Sequence, residues 1–464
     1  MNSWVSMILS VLALCASAAV HAQGCGSGGG VTVCLTATGS ANNVQLSWTA
    51  SGNISNVQVY RDTNSDPNGR SRIAVLNASA RGYTDSGAVS GTPYWYWVKF
   101  NVGNSSYNSN AAATARAGMR NVTSLQLSAN MSPGWNVGNS LEAIGGETAW
   151  GNPLVTQALM NSIKSAGFKS VRIPVSWKQY ADANDNISAS WMARVTEVVN
   201  YARSAGLYAV INIHWDGGWM QPTYAQQATA NARITKFWTQ IANNFKTYDD
   251  YLLFAGTNEV MVDGDYGTPT VEYYTVQNSF NQTFVNAVRA TGGYNASRHL
   301  VVQGFNTNID HTLSFFNVPS DSATKKLMVE VHYYDPFNFT LNGDNDTIWQ
   351  WGRIATNAGN TETWANEAYV DNQMNRMKTR FIDGLGLGVL MGEYGAILRT
   401  AVDSSQRYRT YWDEYVTRAA FTRGIVPVYW DNGYTSDHQM GLFNRSTGAQ
   451  VHSEVIGTIV NAAK

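Results

Sequence analysis

Hydrophobic and polar positions change their period along this chain of 464 residues. Between about 31 and 117, short runs alternate apolar with polar, as in Val44-Gln45-Leu46-Ser47-Trp48, Val57-Gln58-Val59-Tyr60 and Tyr94-Trp95-Tyr96-Trp97-Val98, separated by Asn, Gly, Ser and Asp turns. Period two sends successive side chains to opposite faces of a strand, so this stretch predicts a small antiparallel β-sandwich. From about 119 to 464, β-branched apolar runs alternate instead with helix-length amphipathic segments, which predicts parallel strands buried between helices. Eight strand candidates follow one another at 134–138, 170–175, 208–215, 252–259, 300–305, 327–334, 388–394 and 425–430. Asn152 as N-cap, Pro153 at the first helical position and Gly167 past the end outline the first helix, and a second runs over 190–205 and stops at Gly206. Eight β-α units predict an α/β fold, a (β/α)8 TIM barrel, over a doubly wound sheet, which would show a Gly-rich first turn.

Residues 1–22 read as an export signal: an apolar run over 7–20, too short to span a bilayer, ends in Val20-His21-Ala22 before Gln23. Residues 23–30 read as a Gly-rich linker. Cys15 leaves with the signal, and Cys25 and Cys34 remain as a disulfide of an oxidising compartment or as two idle thiols. No other segment reaches eighteen consecutive apolar residues, so the mature protein is expected to be soluble and secreted, extracellular or periplasmic.

Charge then narrows the partners. With 31 Lys and Arg against 32 Asp and Glu the formal net charge is −1, which excludes a general affinity for nucleic acid or an anionic membrane. Charged residues make up only 14% of the chain, whereas aromatics reach 12%, with 16 Trp and 24 Tyr. Amides, hydroxyls and flat apolar rings suit a neutral polyhydroxylated ligand, whose hydroxyls need polar partners while its C–H faces lie on aromatic rings.

In a (β/α)8 barrel the reacting groups gather at the carboxyl ends of the strands. Polar residues ending apolar runs are Arg172 in Val-Arg-Ile-Pro-Val, His214 in Ile-Asn-Ile-His-Trp, Asn258 and Glu259 in Gly-Thr-Asn-Glu-Val, His332 and Tyr334 in Val-His-Tyr-Tyr-Asp, Glu393 in Met-Gly-Glu-Tyr-Gly, and Trp430 in Val-Tyr-Trp-Asp-Asn-Gly. Strands four and seven stand nearly opposite, so Glu259 and Glu393 would face one another across the mouth. Cleaving a glycosidic bond needs such a pair, because the leaving oxygen must be protonated by one carboxyl while the other attacks or stabilises the anomeric centre. Arg172 beside Glu393 would favour its ionised form, and Glu259 in a less positive setting would carry the proton. Trp150, Trp177, Trp215, Trp219, Trp349 and Trp351 fall in or near predicted loops and are candidate sugar platforms, Trp215 and Trp219 foremost because they follow His214.

These motifs resemble glycoside hydrolase family 5, the retaining endoglucanases and their relatives, over about 134–433. The resemblance implies Glu259 as acid/base, Glu393 as nucleophile, Asn258 on the 2-hydroxyl of the reacting sugar, Arg172 and Tyr334 on the nucleophile, His214 and His332 lining the cleft, and Trp430 stacking beside the scissile bond. Val260 stands where many members have Pro, Ala255 where an acidic residue is common, and Trp215 where some subgroups carry a second His. The N-terminal stretch, with Trp48 and Thr92-Pro93-Tyr94, resembles a fibronectin type III domain. The expected activity is a retaining endo-β-1,4-glucanase on cellulose or mixed-linkage β-glucan. Alternatives are a mannanase or xyloglucanase on the same machinery, or a carbohydrate-binding protein without turnover. The polysaccharide is the one expected partner of a monomeric chain. No metal or cofactor is expected: Asp263 with Asp265 and Asp344 with Asp346 lack the full spacing of a calcium loop, zinc spacing is missing, and so is a Gly-x-Ser-x-Gly elbow.

Overall fold

The computed structural model describes residues 21–39, 43–89, 92–115 and 119–464. Residues 1–20, most of the expected signal, lie outside them. Among the described residues no helix is long and apolar enough to cross a membrane. The chain divides into two units, Met1–Ala117 and Gly118–Lys464.

The first unit is all β. One antiparallel sheet has the order β1 (His21–Gly28), β2 (Val31–Gly39), β3 (Val44–Ala50), β6 (Gly82–Asp85). The other joins β5 (Ser71–Leu76), β4 (Ser55–Asp62), β7 (Pro93–Val102) and β8 (Ser105–Asn108), with β9 (Ala112–Ala115) also on β7. Alternate residues, among them Val33, Leu35, Leu46, Trp48, Tyr96 and Phe100, bury into one core. Trp97, on the opposite face of β7, packs beneath the Arg70 guanidinium 5.3 Å away. The Gly-rich stretch is not a linker: it is β1. A Cβ on Gly26 would lie 2.2 Å from the Asn108 carbonyl oxygen, so the glycines allow an approach no side chain could share, and composition alone mistakes that need for flexibility. Cys25 and Cys34, directly opposed in β1 and β2, form a disulfide.

The second unit is a closed eight-stranded parallel barrel: β10 (Gly134–Val137), β11 (Ser170–Ile173), β12 (Tyr208–Asn212), β13 (Leu252–Ala255), β14 (Leu300–Gln303), β15 (Leu327–Tyr333), β16 (Gly388–Tyr394) and β17 (Ile425–Asp431), with β17 pairing back to β10. All eight expected strands are present, although most end earlier than their apolar runs. The first helix, Gln157–Ala166, is capped by Thr156, not Asn152, because the Asn152 amide is engaged by the carbonyls of Asn139 and Asn432. The second, Ala189–Ser204, takes Ser188 as its N-cap.

Inside the barrel the lower layer is apolar, with Val210, Leu253, Val301, Met328, Leu390 and Val426 in one cluster. One pleat higher the inward positions turn polar: Asn136, Arg172, Asn212, Gln303 and Glu330 are all fully buried. Because the strand period is two, Val301 and Gln303, or Met328 and Glu330, share one face, so the apolar layer is the floor on which the polar layer rests.

Candidate active site

Arg172 on β11 is the hub. Its Nη1 donates to Glu393 Oε1 at 2.9 Å and to Asn136 Oδ1 at 3.1 Å, its Nη2 donates to Asn258 Oδ1 at 2.5 Å, and its Nε lies 2.9 Å from Glu330 Oε1. The guanidinium therefore spans four strands of the ring and locks the backbone after β13, which carries Asn258 and Glu259. The second cation is His332 on β15. Its Nδ1 stands 2.6 Å from Glu259 Oε1 and 3.6 Å from Glu393 Oε2, and its Nε2 is 3.3 Å from Glu330 Oε1. Tyr334, one residue past β15, donates its hydroxyl to Glu393 Oε2 at 3.0 Å.

Glu393 reaches this cluster through a bulge. On β16, Met391 pairs with Val331 and Glu393 pairs with His332, leaving Gly392 as the extra residue. Strict alternation from the inward Leu390 would turn Glu393 outward; the bulge re-aims it at His332. Gly392 is required there, since a Cβ would sit 1.9 Å from Glu330 Oε1. One oxygen of Glu259, one of Glu393 and a ring nitrogen of His332 all lie within 4.8 Å of one another.

The electrostatics follow from these contacts. Burial alone would strip the His332 proton, but Glu393, Glu259 and Glu330 around it outweigh burial and raise its pKa to about 9, so the imidazole is cationic at neutral pH. Glu330 is wholly buried, yet Arg172, His332 and the Gln303 amide, which donates to Oε2 at 2.6 Å, hold it below the usual carboxylate range. Glu259 is also held low: burial is the largest single influence and works against it, but the His332 contact and the Arg172 charge together outweigh burial, while 40% of its side chain stays open to the cleft. Glu393 is pushed up, first by burial and further by the Glu259 charge, with His332 and Arg172 offsetting only part. This reverses the sequence-based assignment of proton affinities in the ligand-free protein. The reasons are that Glu393 is more deeply buried than Glu259 and meets the Glu259 charge, and that His332, shared by both, stands closer to Glu259, at 2.6 Å against 3.6 Å. The three ligand-type groups Glu259, His332 and Glu393 could reach one metal ion geometrically, but Arg172 and the charged His332 oppose a cation there. Asp346, from one of the acidic loops, is taken up by Arg399 and His438.

His214, two residues past β12, lies nearly parallel to Trp430 on β17 with ring centroids 5.9 Å apart; burial, then the Arg172 and His332 charges, hold it well below its ordinary pKa, so it is neutral. Beside them His214, Trp215, Gln221, Asn258, Glu259 and Asp263 line a depression of about 220 Å³. Trp215, 53% exposed, offers its ring to this space. Trp219 does not: its Nε1 donates to Asp216, its edge meets Phe237 and Arg233 lies 5.1 Å over its ring. It braces the loop. Trp177 and Trp351 are buried, donating to the Asn212 and Ala365 carbonyls, and Trp349 packs on Tyr408. Only Trp150 joins Trp215 as an exposed ring from that group.

Replacing Trp215 with Ala is expected to raise KM for a cellohexaose-length chain about fivefold, equivalent to about 1 kcal/mol of lost stacking, with an unchanged melting temperature. Trp219→Ala is expected to cost about 2 kcal/mol of stability with equal effects on long and short oligosaccharides. Steady-state kinetics with thermal unfolding separates the two.

Asn136, Gln303 and Glu330 are not among the sequence-predicted site residues: Asn136 and Glu330 sit inside strands, and Gln303, though it ends β14, lies inside the longer run predicted at 300–305. The signal was present: a polar residue at a period-two position of an otherwise apolar run, as in Met328-Val329-Glu330-Val331-His332, must find a buried partner.

Residues 135–436 match the family model for cellulase, glycosyl hydrolase family 5. Endoglucanase A of Paenibacillus barcinonensis is 41% identical over 367 residues, covering 74% of this chain and 91% of that protein. The xyloglucan-specific endo-beta-1,4-glucanase BoGH5A of Bacteroides ovatus is 39% identical over 414 residues, covering 84% and 79%. The solved family 5 xyloglucanase from Paenibacillus pabuli superposes with a TM-score of 0.71 at 41% identity, covering 73% of this chain and all of that one. A closed barrel whose mouth gathers two glutamates around one histidine, in a chain with these relatives, is a glycoside hydrolase, and the chain belongs to glycoside hydrolase family 5.

Proposed function

We propose that this chain is a secreted endo-β-1,4-glucanase that hydrolyses glucan backbones, xyloglucan among them, with retention of configuration. The observation that carries the reading is the approach of Glu259, His332 and Glu393 oxygens and nitrogen to within 4.8 Å at the barrel mouth. Direct attack by one carboxylate requires carboxyls roughly 5–5.5 Å apart, whereas inversion needs about 6.5–9.5 Å to admit a water. Glu393, buried and bonded by Arg172 and Tyr334, is the nucleophile: the fixed donors hold its carboxylate in line without needing to reorganise. Glu259 is the acid/base. In the free enzyme the proton of the Glu259–His332 contact rests on the imidazole. A sugar covering the exposed Glu259 removes its water and disfavours the separated charges, moving that proton to the carboxyl, from which it passes to the departing oxygen. Asn258, whose Oδ1 is held by Arg172, keeps its amide N–H groups for the 2-hydroxyl of the reacting sugar. The family relatives named above as glucanases and xyloglucanases favour a glucan over a mannan.

The test is reducing-end release from carboxymethylcellulose, barley mixed-linkage glucan, tamarind xyloglucan and mannan, with proton NMR of the first anomer formed. Hydrolysis of the glucans with the β-anomer appearing first is expected. The α-anomer first would remove the double displacement, and turnover confined to mannan would remove the substrate class.

A further inference from the structure

Glu330 is a third carboxylate at the centre of the cluster, and the double displacement assigns it no part. It is fully buried, 2.9 Å from Arg172 Nε and 3.3 Å from His332 Nε2, and it touches both cations that face the reacting glutamates. Its position is built, not incidental. Gln303 donates to Oε2 at 2.6 Å, and Gln303 is itself oriented because its Oε1 accepts from the backbone N–H and hydroxyl of Thr257. Gly392 leaves the space that Oε1 occupies. A buried carboxylate is costly unless paired, and here the pairing takes Arg172 and His332 away from other partners.

We propose that Glu330 is a positioning residue that sets the pH window of catalysis, by taking a share of the Arg172 charge that Glu393 would otherwise receive whole and by holding His332 cationic against Glu259. This inference rests on the roles proposed above for Glu259 and Glu393. The charged and titratable groups facing Glu330 are Arg172 from β11, His332 from its own strand, Glu393 from β16 and Glu259 beyond β13, with neutral His214 beyond β12 and Tyr334 beyond β15 at the edge of the cluster. With all five central charges present, two cations face three carboxylates. Neutralising Glu330 leaves two against two. Glu393 then has Arg172 to itself and loses a like charge, so it ionises at lower pH; His332 loses one of three anions, so it gives up its proton at lower pH.

The experiment is the pH dependence of kcat/KM on a soluble β-glucan for wild type and Glu330→Gln, with the His332 imidazole followed by NMR in both. Both limbs of the profile are expected to move toward acid by about one pH unit, and the His332 titration to move with the basic limb. Limbs and imidazole titration that stay in place, with kcat merely lower at every pH, would overturn the proposal and leave Glu330 as packing. Should Glu330→Gln not fold, Gln303→Met removes the amide that screens the carboxylate while Arg172 and His332 keep Glu330 ionised, so both limbs are expected to shift the opposite way, toward alkali, and by less; no shift there counts equally against the proposal. Absence of wild-type turnover on any β-glucan would instead strike the functional reading, and the NMR titration of His332 would still decide the role of Glu330.

Discussion

Glu393→Gln is expected to lower kcat on a β-1,4-glucan by on the order of 10⁴-fold or more, with the melting temperature within a few degrees of wild type. The amide keeps the volume: its one carbonyl oxygen can still accept from Arg172 Nη1, now at 2.9 Å, while its NH2 takes the place of the oxygen that accepts from Tyr334, whose hydroxyl can turn to accept instead, so the pocket survives. On the proposed roles, what disappears is the electron pair that attacks the anomeric carbon, and neither neighbouring carboxylate would replace it: Glu259 is assigned to the leaving oxygen and Glu330 is fully buried. Glu259→Gln behaves differently. General acid catalysis contributes roughly 10²–10⁴-fold, and the loss should nearly vanish in the first step for an aryl β-glucoside oligomer, whose leaving oxygen needs no proton. Measuring both variants on the polymer and on the aryl substrate separates the roles. If Glu393→Gln regains activity on the aryl substrate and Glu259→Gln does not, the two assignments must be exchanged.

Arg172→Met should have the largest effect on stability. Arg172 and Glu330 are completely buried and Glu393 nearly so. Removing the guanidinium leaves two buried carboxylates with one cation between them, and breaking a buried pair in this way costs about 3–5 kcal/mol, or about 5 °C in melting temperature for a domain of this size. The deficit depends on pH. In wild type Glu330 is held low, so its contribution is present above the unfolded carboxylate pKa and is lost as pH falls through its folded value. In the variant the carboxylates are desolvated without compensation and their folded pKa rises above the unfolded value, so that state gains protons on folding and weakens as pH climbs. Thermal unfolding should therefore show a gap between wild type and variant that is small near pH 4 and wide near pH 7. A gap of constant width would show that Arg172 acts through packing alone. Activity should fall with stability, since Asn258 loses its anchor and Glu393 its strongest donor.

The eight strands of the barrel, the two glutamates and most of the residues around them were readable from the chain alone because each is a local pattern. Apolar β-branched runs mark buried parallel strands, and Asn258-Glu259, His332, Tyr334 and Glu393 end such runs where side chains reach the mouth. Residue type and spacing were enough to place Arg172 beside Glu393, since every barrel strand delivers its inward residues to one axis. Three-dimensional closure decided the rest. The Gly24–Gly26–Gly28 alternation reads as flexibility until a neighbouring strand is pressed against it. Trp215 and Trp219 carry the same signal four residues apart, and only the positions of Asp216, Phe237 and Arg233 turn one ring to the cleft and the other to the core. The order of proton affinities at Glu259 and Glu393 depends on burial and on Arg172 and His332, delivered by β11 and β15, four strands apart around the ring, because Coulomb interactions fall with distance through space and take no account of separation along the chain. Sequence thus determined which groups this protein brings to its active centre, and tertiary structure determined how their charges are shared.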